Sequence, residues 1–516
     1  MAFPDHLWSR ISSNLSISQC LAATTALVIA YCIGRVVYNL YFHPLSKYPG
    51  PKLAAFTDIW WAYASTTGRY PWIIENVLKQ YGDVVRIAPN ELVFLTPQAG
   101  RDIYLSQEKN LELFVQLGYD SLDTGDGGIS GETNPVKHRE IAKKLAPAFS
   151  TRNFKAKEAT VLKHIDIFIE KMKIVGKEGV ELQRWVEWLA LDLSADLTYG
   201  REMDQMRDMK DSILLSATLK LNLFLTMSQI TRKFRLLAPL MYLTIPPSVW
   251  FVMPRLIKMN AQDVKARIER RGNTEHLDYF EHLVPADKPI PKDEKQIYHL
   301  QNIAGQLLLA SWQPLANQFF SFIFFLSREP AAYTALVEEV RTAFADHGTI
   351  NTESTANLKY LQACVSESLR LHQDTVDGLP RVSPGALVDG IYIPQGVTCQ
   401  ISYFAAARSP RFFAEPLKFR PERWLPPDHP RFNPKFKEDD LKASKPFSQG
   451  PRGCPGGAIA QAVLRLFVAK VLWQFDFEAA PGQDNLSFDK DFKFLFLWQK
   501  PQFRVLFKPV QRDHNE

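Results

Sequence analysis

The sequence predicts a mainly helical α+β protein held behind a single N-terminal membrane-spanning helix. Three observations point there. Polar–apolar stripes at helical spacing run from about residue 138 to residue 345. Short runs with β-branched and alternating character appear at 84–95, 381–400 and 492–507. A stretch without charged side chains, Ile11 to Gly34, lies near the start. Hydrophobic residues make up 46% of the 516, including 34 Phe, which supplies one large core, and nothing after about residue 50 reads as a linker or repeat. The net charge of +6 is spread along the chain, which argues against nucleic acid and leaves a weak preference for an acidic partner or an anionic membrane face. The five cysteines, Cys20, Cys32, Cys364, Cys399 and Cys454, form no C-x-x-C pair. A disulfide framework and a structural zinc site are thereby disfavoured, and a reducing compartment fits best.

The elements follow in chain order. Residues 17–34 are long enough to cross a bilayer, at the short end of the usual ~20 residues. Arg35, His43, Lys47 and Lys52 follow, so the positive-inside bias places residues 1–16 in the lumen and the rest in the cytosol. A cleaved signal peptide fits less well, because Asp5 precedes the apolar stretch and no clear cleavage site follows it. Asn14-Leu-Ser16 is a glycosylation sequon close against the span. Residues 35–52 contain His43-Pro-Leu-Ser-Lys-Tyr-Pro-Gly-Pro51, where prolines stop a helix and make a stiff hinge. Residues 53–516 form the globular domain. Val84 to Leu95, with its Pro-Asn turn, predicts a hairpin. The apolar segment 236–254 is broken by Pro239, Pro246, Pro247 and Pro254, and reads equally as a surface dipping into the membrane or as ordinary core. Ile303 to Leu326 is free of charge, but its Gln306, Gln313, Asn317 and Gln318 argue for a helix buried in protein rather than a second span. Short strands are expected in 381–400, and 492–498 and 503–507 are expected to pair as a final hairpin.

The most telling stretch is Phe447-Ser-Gln-Gly-Pro-Arg452-Gly-Cys454-Pro-Gly456. Glycines around a cysteine let backbone approach a flat cofactor closely. Arg452 favours the thiolate and suits a carboxylate partner. This spacing resembles the haem-binding loop of the cytochrome P-450 family, in which a cysteine thiolate ligates the haem iron and favours O–O cleavage. Further motifs in matching order extend the resemblance over nearly the whole chain. Glu367-Ser-Leu-Arg370 places two opposite charges at i, i+3 on a helix, and Phe419-Arg-Pro-Glu-Arg423-Trp424 follows. The hinge resembles that of microsomal members from filamentous fungi.

The resemblance implies the family fold, a large helical domain with small β-sheets, and a haem-thiolate catalytic domain over residues 53–516. It implies haem b (iron protoporphyrin IX) with Cys454 as the metal ligand. Phe447 and Gly456 would shape the loop, and Arg452, Arg381 and His138 would meet the propionates. At the remaining arginine position of the helix carrying His138 stands Ala142, with Arg139 or Lys143 as substitutes. Glu367, Arg370 and Arg423 would form a buried ion network. It also implies an NADPH-dependent cytochrome P-450 reductase as electron donor, so that NADPH acts only indirectly.

One departure stands out. Where the family carries an acid and a threonine on its central helix, this chain reads Ala310-Ser311-Trp312-Gln313-Pro314. Gln cannot supply a proton as an acid does, and Pro removes an N–H and crowds the carbonyl of Ala310. Three readings remain open. The enzyme is a monooxygenase of a lipophilic small molecule in fungal secondary metabolism, with Ser311, ordered water or a substrate hydroxyl relaying protons and Gln313 as a hydrogen-bonding group beside them. It is a redox-neutral isomerase, dehydratase or cyclase. Or it is a catalytically degenerate haem-binding protein. The turn after Arg370 commonly carries prolines in the family and here reads Leu371-His-Gln-Asp-Thr-Val-Asp377-Gly378. Asp377 is a candidate acid or substrate-binding group there. The expected setting is the endoplasmic reticulum membrane, single-pass, with the catalytic domain cytosolic.

Overall fold

The computed structural model describes residues 17–118 and 126–511. The expectations for residues 1–16, including the sequon at Asn14, lie outside the described residues. The helices that matter to the site are α1 (Ile17–Val37), α2 (Tyr70–Tyr81), α3 (Pro135–Leu145), α4 (Leu182–Tyr199), α5 (Asn222–Thr231), α6 (Glu294–Leu326), α7 (Lys359–Leu371) and α8 (Gly457–Gln474). The strands are β1 (Val84–Ala88), β2 (Glu91–Phe94), β3 (Val115–Gln116), β4 (Val180–Glu181), β5 (Arg381–Val382), β6 (Thr398–Ile401), β7 (Phe475–Ala479), β8 (Lys493–Phe494), β9 (Trp498–Gln499) and β10 (Arg504–Pro509). Helices dominate and the sheets are small, so the mainly helical α+β class holds.

The 33 residues of α6 extend about 50 Å. Asp293 caps its start by accepting from the Lys295 N–H, and Glu294 sits favourably in the first turn. Past Leu300 most of its side chains are buried, so the charge-free segment Ile303–Leu326 is core and not a second span. It packs along α4 and against α7 and α8. The Phe319 and Phe467 rings meet at 4.3 Å between centroids across the α6–α8 contact. α3 starts at Pro135 behind Asn134, whose side chain accepts from the Val136 and Lys137 N–H groups.

β1 and β2 form the expected hairpin, and the larger sheet runs β1-β2-β6-β5-β3. β6 lies parallel to β2 and antiparallel to β5, which brings Arg381 opposite Cys399 on one side and Gln116 on the other. The final hairpin differs from expectation. β8 pairs with β9, while β10 pairs with β7 and β4. The reason is local. The chain folds back at Leu495–Leu497, with the Leu495 N–H bonded to the Leu497 carbonyl. Phe475 and Phe477 alternate inward on β7 and offer β10 a longer apolar partner.

α1 is apolar and has no buried residue, and continues through a π-helical turn to Phe42, past the boundary at Gly34. It is a candidate membrane span. Of the two readings for 236–254, the structure favours surface, since Leu236, Leu243 and Phe251 are 96%, 81% and 86% exposed. A helix-sized apolar side chain in the core would be nearly covered.

Candidate active site

Cys454 sits where its loop enters α8. The loop closes on itself through Gly453 N–H to Gly450 C=O (2.9 Å) and Cys454 N–H to Phe447 C=O (2.8 Å). Gly450 has φ +80°, and a Cβ there would lie 1.9 Å from the Tyr104 carbonyl oxygen, so only glycine fits. Phe447 packs over Gly457, whose added Cβ would approach its ring to 3.0 Å. Gly456 caps α8 and leaves room beside Sγ, a Cβ there standing 3.9 Å from it. The Cys454 thiol is solvent-accessible but surrounded by protein mass. Burial raises its pKa and the Gly456 N–H opposes that rise.

Three predicted side chains gather beside this loop. Arg452 donates from Nε to Glu112 (2.6 Å) and from Nη1 to the Glu132 carbonyl (2.5 Å). Arg381 is buried and donates to Gln116 Oε1 (3.1 Å), whose own amide donates to the Ser130 carbonyl (2.7 Å). His138 is buried in α3, and burial with the fields of Arg452 and Arg381 lowers its pKa to about 4, against the pull of Glu112 and Glu132. It is therefore neutral near pH 7 and offers an N–H, not a charge. Arg139 and Lys143 are both exposed, on the same helix as Ala142. Glu112, Glu132 and Gln116 were not foreseen: Gln116 meets Arg381 through the β3–β5 pairing, and Glu112 and Glu132 lie 340 and 320 residues before Arg452 in the chain.

The ion network assembles below α7. Fully buried Glu367 accepts from Arg370 Nε (2.8 Å) and Nη2 (2.7 Å), the Arg420 N–H (2.9 Å), Arg423 Nε (3.1 Å) and Trp424 Nε1 (2.8 Å). Burial raises its carboxyl pKa, but the two arginines outweigh burial and hold it below the ordinary range. Arg370 also donates to the carbonyls of Ala407 and Pro416 (2.6 and 2.7 Å), and Arg423 pairs with Asp439. The pair thus fastens α7 to the segment leading into the cysteine loop.

The other candidates separate. On α6, Gln313 is buried and its Nε2 has no protein partner among the described residues. Next to it Pro314 lies inside the helix, and lacking an N–H it leaves the Ala310 carbonyl without its usual donor. Ser311 donates to the Leu307 carbonyl (2.7 Å) and meets Ser194 of α4, which turns its hydroxyl toward α4. Asp377 bridges to Ser402 and bonds Tyr70 of α2, and among the described residues its Oδ1 has no hydrogen-bond partner. Burial lifts its carboxyl pKa to about 7, against the bonds from Ser402 and Tyr70. The residues of this turn that reach α6 are Asp374, bonded to Asn317 and Gln318, and His372, whose carbonyl accepts from Gln318 (2.7 Å) and whose ring meets the Ser321 hydroxyl. Gln306, nearer the start of α6, clasps residues 127–130: its Oε1 accepts from the Ile129 and Ser130 N–H groups and its Nε2 donates to the Gly127 carbonyl.

The cytochrome P-450 family model matches residues 52–507. The chain belongs to the cytochrome P-450 family. It is 46% identical over 482 residues to cytochrome P-450 monooxygenase TwmD of Talaromyces wortmannii, covering 93% of this chain and 94% of that one. It is 34% identical over 481 residues to monooxygenase poxC of Penicillium oxalicum (93% of each chain), and 33% over 488 residues to monooxygenase btcC of Colletotrichum orbiculare (93% and 92%). The chain is accordingly a haem-dependent oxidoreductase of the monooxygenase type, using haem b and electrons from a reductase. The residues present fit that cofactor: a thiol at the N-terminal end of an 18-residue helix, two buried or half-buried guanidinium groups, and a loop whose glycines admit a flat ring.

Proposed function

We propose that this protein is a membrane-anchored cytochrome P-450 monooxygenase that oxidises a lipophilic small molecule in fungal secondary metabolism. Residues 17–34 would anchor it in the endoplasmic reticulum membrane, residues 35–52 would serve as the hinge, and residues 53–516 would form the cytosolic catalytic domain. The monooxygenases it resembles come from fungi, which supports the setting. The exposed apolar residues of 236–254 support membrane contact. Next to them an open apolar depression of the surface, lined by Ile59, Tyr63, Met227 and Phe234 among others, suits contact with a lipophilic molecule or a membrane.

The observation that carries the reading is Cys454 at the head of α8 with Arg452, Arg381 and His138 beside it. In this reading Cys454 holds the iron, Arg452 and Arg381 neutralise the propionates, and neutral His138 donates one hydrogen bond. The bound haem supplies oxidation with O2, with the thiolate donating electron density to the metal. This chain's own part is to exclude water, to orient the substrate along α6, and to present the Gln313 Nε2–H and the free Ala310 carbonyl to water or to a substrate oxygen. Gln313 orients a proton donor but does not ionise. Ser311, turned to α4, and Asp377, held by Tyr70 and Ser402, would act only after moving.

A second reading, redox-neutral isomerisation, dehydration or cyclisation, is favoured by the Gln313-Pro314 pair itself. Turnover of candidate substrates with and without NADPH, O2 and reductase separates the two. Conversion that needs all three supports the monooxygenase. Conversion without them overturns it in favour of redox-neutral chemistry.

A further inference from the structure

Behind the Pro314 turn lies a buried polar cluster that the family's motifs do not account for. Lys500, in the segment after β9, is buried and pairs with Glu187 of α4 at 2.5 Å. Glu187 also accepts from Trp312 Nε1 (2.7 Å), and Lys500 donates to Asn317 Oδ1 (2.8 Å). Asn317 Nδ2 donates to Asp374 Oδ1 (2.5 Å), and Gln318 Nε2 donates to Asp374 Oδ2 (3.2 Å) and to the His372 carbonyl (2.7 Å). One continuous chain of side-chain bonds therefore joins α4, the C-terminal segment and the turn after α7 to three positions of α6. Those positions, 312, 317 and 318, straddle the one turn of the helix that a proline has deprived of a backbone bond. Asn317 is three residues from Pro314 and four from Gln313, so it shares their stripe of the helix.

We propose that Lys500, Glu187 and Asp374 are positioning residues for this part of the site, fixing the α6 turn that carries Gln313 and Pro314 and releasing it in a pH-dependent way. The physics is that of a buried triad with one cation and two carboxylates. Full ionisation would bury a net negative charge, which is costly. Lys500 contacts Glu187 directly and reaches Asp374 only through Asn317, which leaves Asp374 as the carboxyl without a cation in contact. Burial lifts the Asp374 carboxyl to about 7, against the bonds from Asn317 and Gln318 and the field of Lys500. The other titratable group against it is His372, whose pKa burial and Lys500 push well below the ordinary range, so it stays neutral. A group that holds its proton more tightly when buried than when freed makes opening easier as pH rises, up to its buried pKa.

The proposal rests on the haem-thiolate reading, and its test is separable from that reading. Hydrogen exchange is followed over α6 in the purified haem-loaded protein, comparing residues 309–321 with residues 294–305, alongside the ferric spin-state spectrum across pH. In the wild type, protection of 309–321 corrected for intrinsic rate should fall by up to about tenfold per pH unit between roughly pH 5 and pH 7, with a parallel change in spin state. Asp374→Asn should flatten both profiles, and Asp377→Asn should leave the 309–321 profile unchanged. Lys500→Met should lower protection of this turn at all pH values, and Lys500→Arg should restore it. Should Lys500→Met not fold, Glu187→Gln reads the same contact. An Asp374→Asn profile with the wild-type slope, or unchanged protection in both the Lys500→Met and Glu187→Gln proteins, overturns the proposal. Absence of a thiolate-type ferrous–CO spectrum in the wild type would sink the haem-thiolate reading, while the exchange profile would still decide the role of the triad.

Discussion

Replacing Glu367 by Gln tests the geometry beneath the cysteine loop most severely. The substitution keeps size and shape but turns one acceptor oxygen into a donor. Glu367 receives two donors on Oε2, Arg370 Nε and Trp424 Nε1, and three on Oε1, from Arg370, Arg420 and Arg423. The less costly orientation of Gln places its amide nitrogen at Oε2, losing two bonds and setting donor against donor. It also removes the side-chain carboxylate paired with fully buried Arg370, which has no other among the described residues, while Arg423 keeps Asp439. Hydrogen bonds to charged groups are worth about 1.5–3 kcal/mol each, and breaking a buried ion pair costs about 3–5 kcal/mol. The two figures describe one loss, so we expect destabilisation of about 3–5 kcal/mol, read from urea unfolding of the purified protein. Haem content should fall with it, since Arg370 ties α7 to the carbonyls of Ala407 and Pro416 ahead of the loop. Stability of the variant within about 0.5 kcal/mol of the parent, the scatter expected of neutral surface changes, would refute the reasoning.

Three further outcomes are expected. Gly450→Ala forces a Cβ into the Tyr104 carbonyl at positive φ; we expect a loss of about 3 kcal/mol and poor haem incorporation, measured by thermal unfolding and absorbance. Asp377 is a carboxyl with a raised folded pKa of about 7. Its protonated state stabilises the fold below the ordinary carboxylate range, and that stability is lost as pH rises to about 7, with a limiting slope of about 1.4 kcal/mol per pH unit. Asp377→Asn should remove this part of the slope in urea titrations at several pH values. Gly128, at φ +56°, would place an added Cβ 2.5 Å from Gln306 Oε1. Gly128→Ala should release residues 127–130 from α6 and raise KM for a substrate more than it lowers kcat.

The parts of the site that were legible in the sequence are those whose partners lie close along the chain or whose backbone permits one residue only. Glu367 and Arg370 meet because a helix sets three residues on one face. The hairpin at 84–95 follows from alternation about a Pro-Asn turn. What escaped depends on long-range register. The segments 492–498 and 503–507 each alternate like strands, but alternation does not name a partner, and β7 competes for β10. Asp377 and Asp374 are three residues apart in one turn, and nothing local says which of them faces α6. Lys500 and Glu187 are separated by most of the domain, and a lone lysine in a strand-like segment reads as exposed until its burial is seen.

The cluster at Lys500 also bears on why a proline is tolerated within a core helix. An interior proline ordinarily costs about 3 kcal/mol or more, through a lost N–H and a crowded carbonyl. Here α6 remains helical through Pro314, and side chains on both sides of it are tied to three other segments. The turn after Arg370, where the resemblance leads one to expect prolines, reads Leu371-His-Gln-Asp-Thr-Val-Asp377. Rigidity that a proline would give the turn through its fixed φ is thus supplied by hydrogen bonds from Asn317 and Gln318, while the helix has taken on the proline. The two arrangements differ in one respect. A ring constraint does not respond to solution conditions, whereas an aspartate buried beside a shared lysine responds to pH. On the proposed reading, this chain has replaced an ionisable acid on the helix by one behind it, and the exchange profile of residues 309–321 is where that difference becomes measurable.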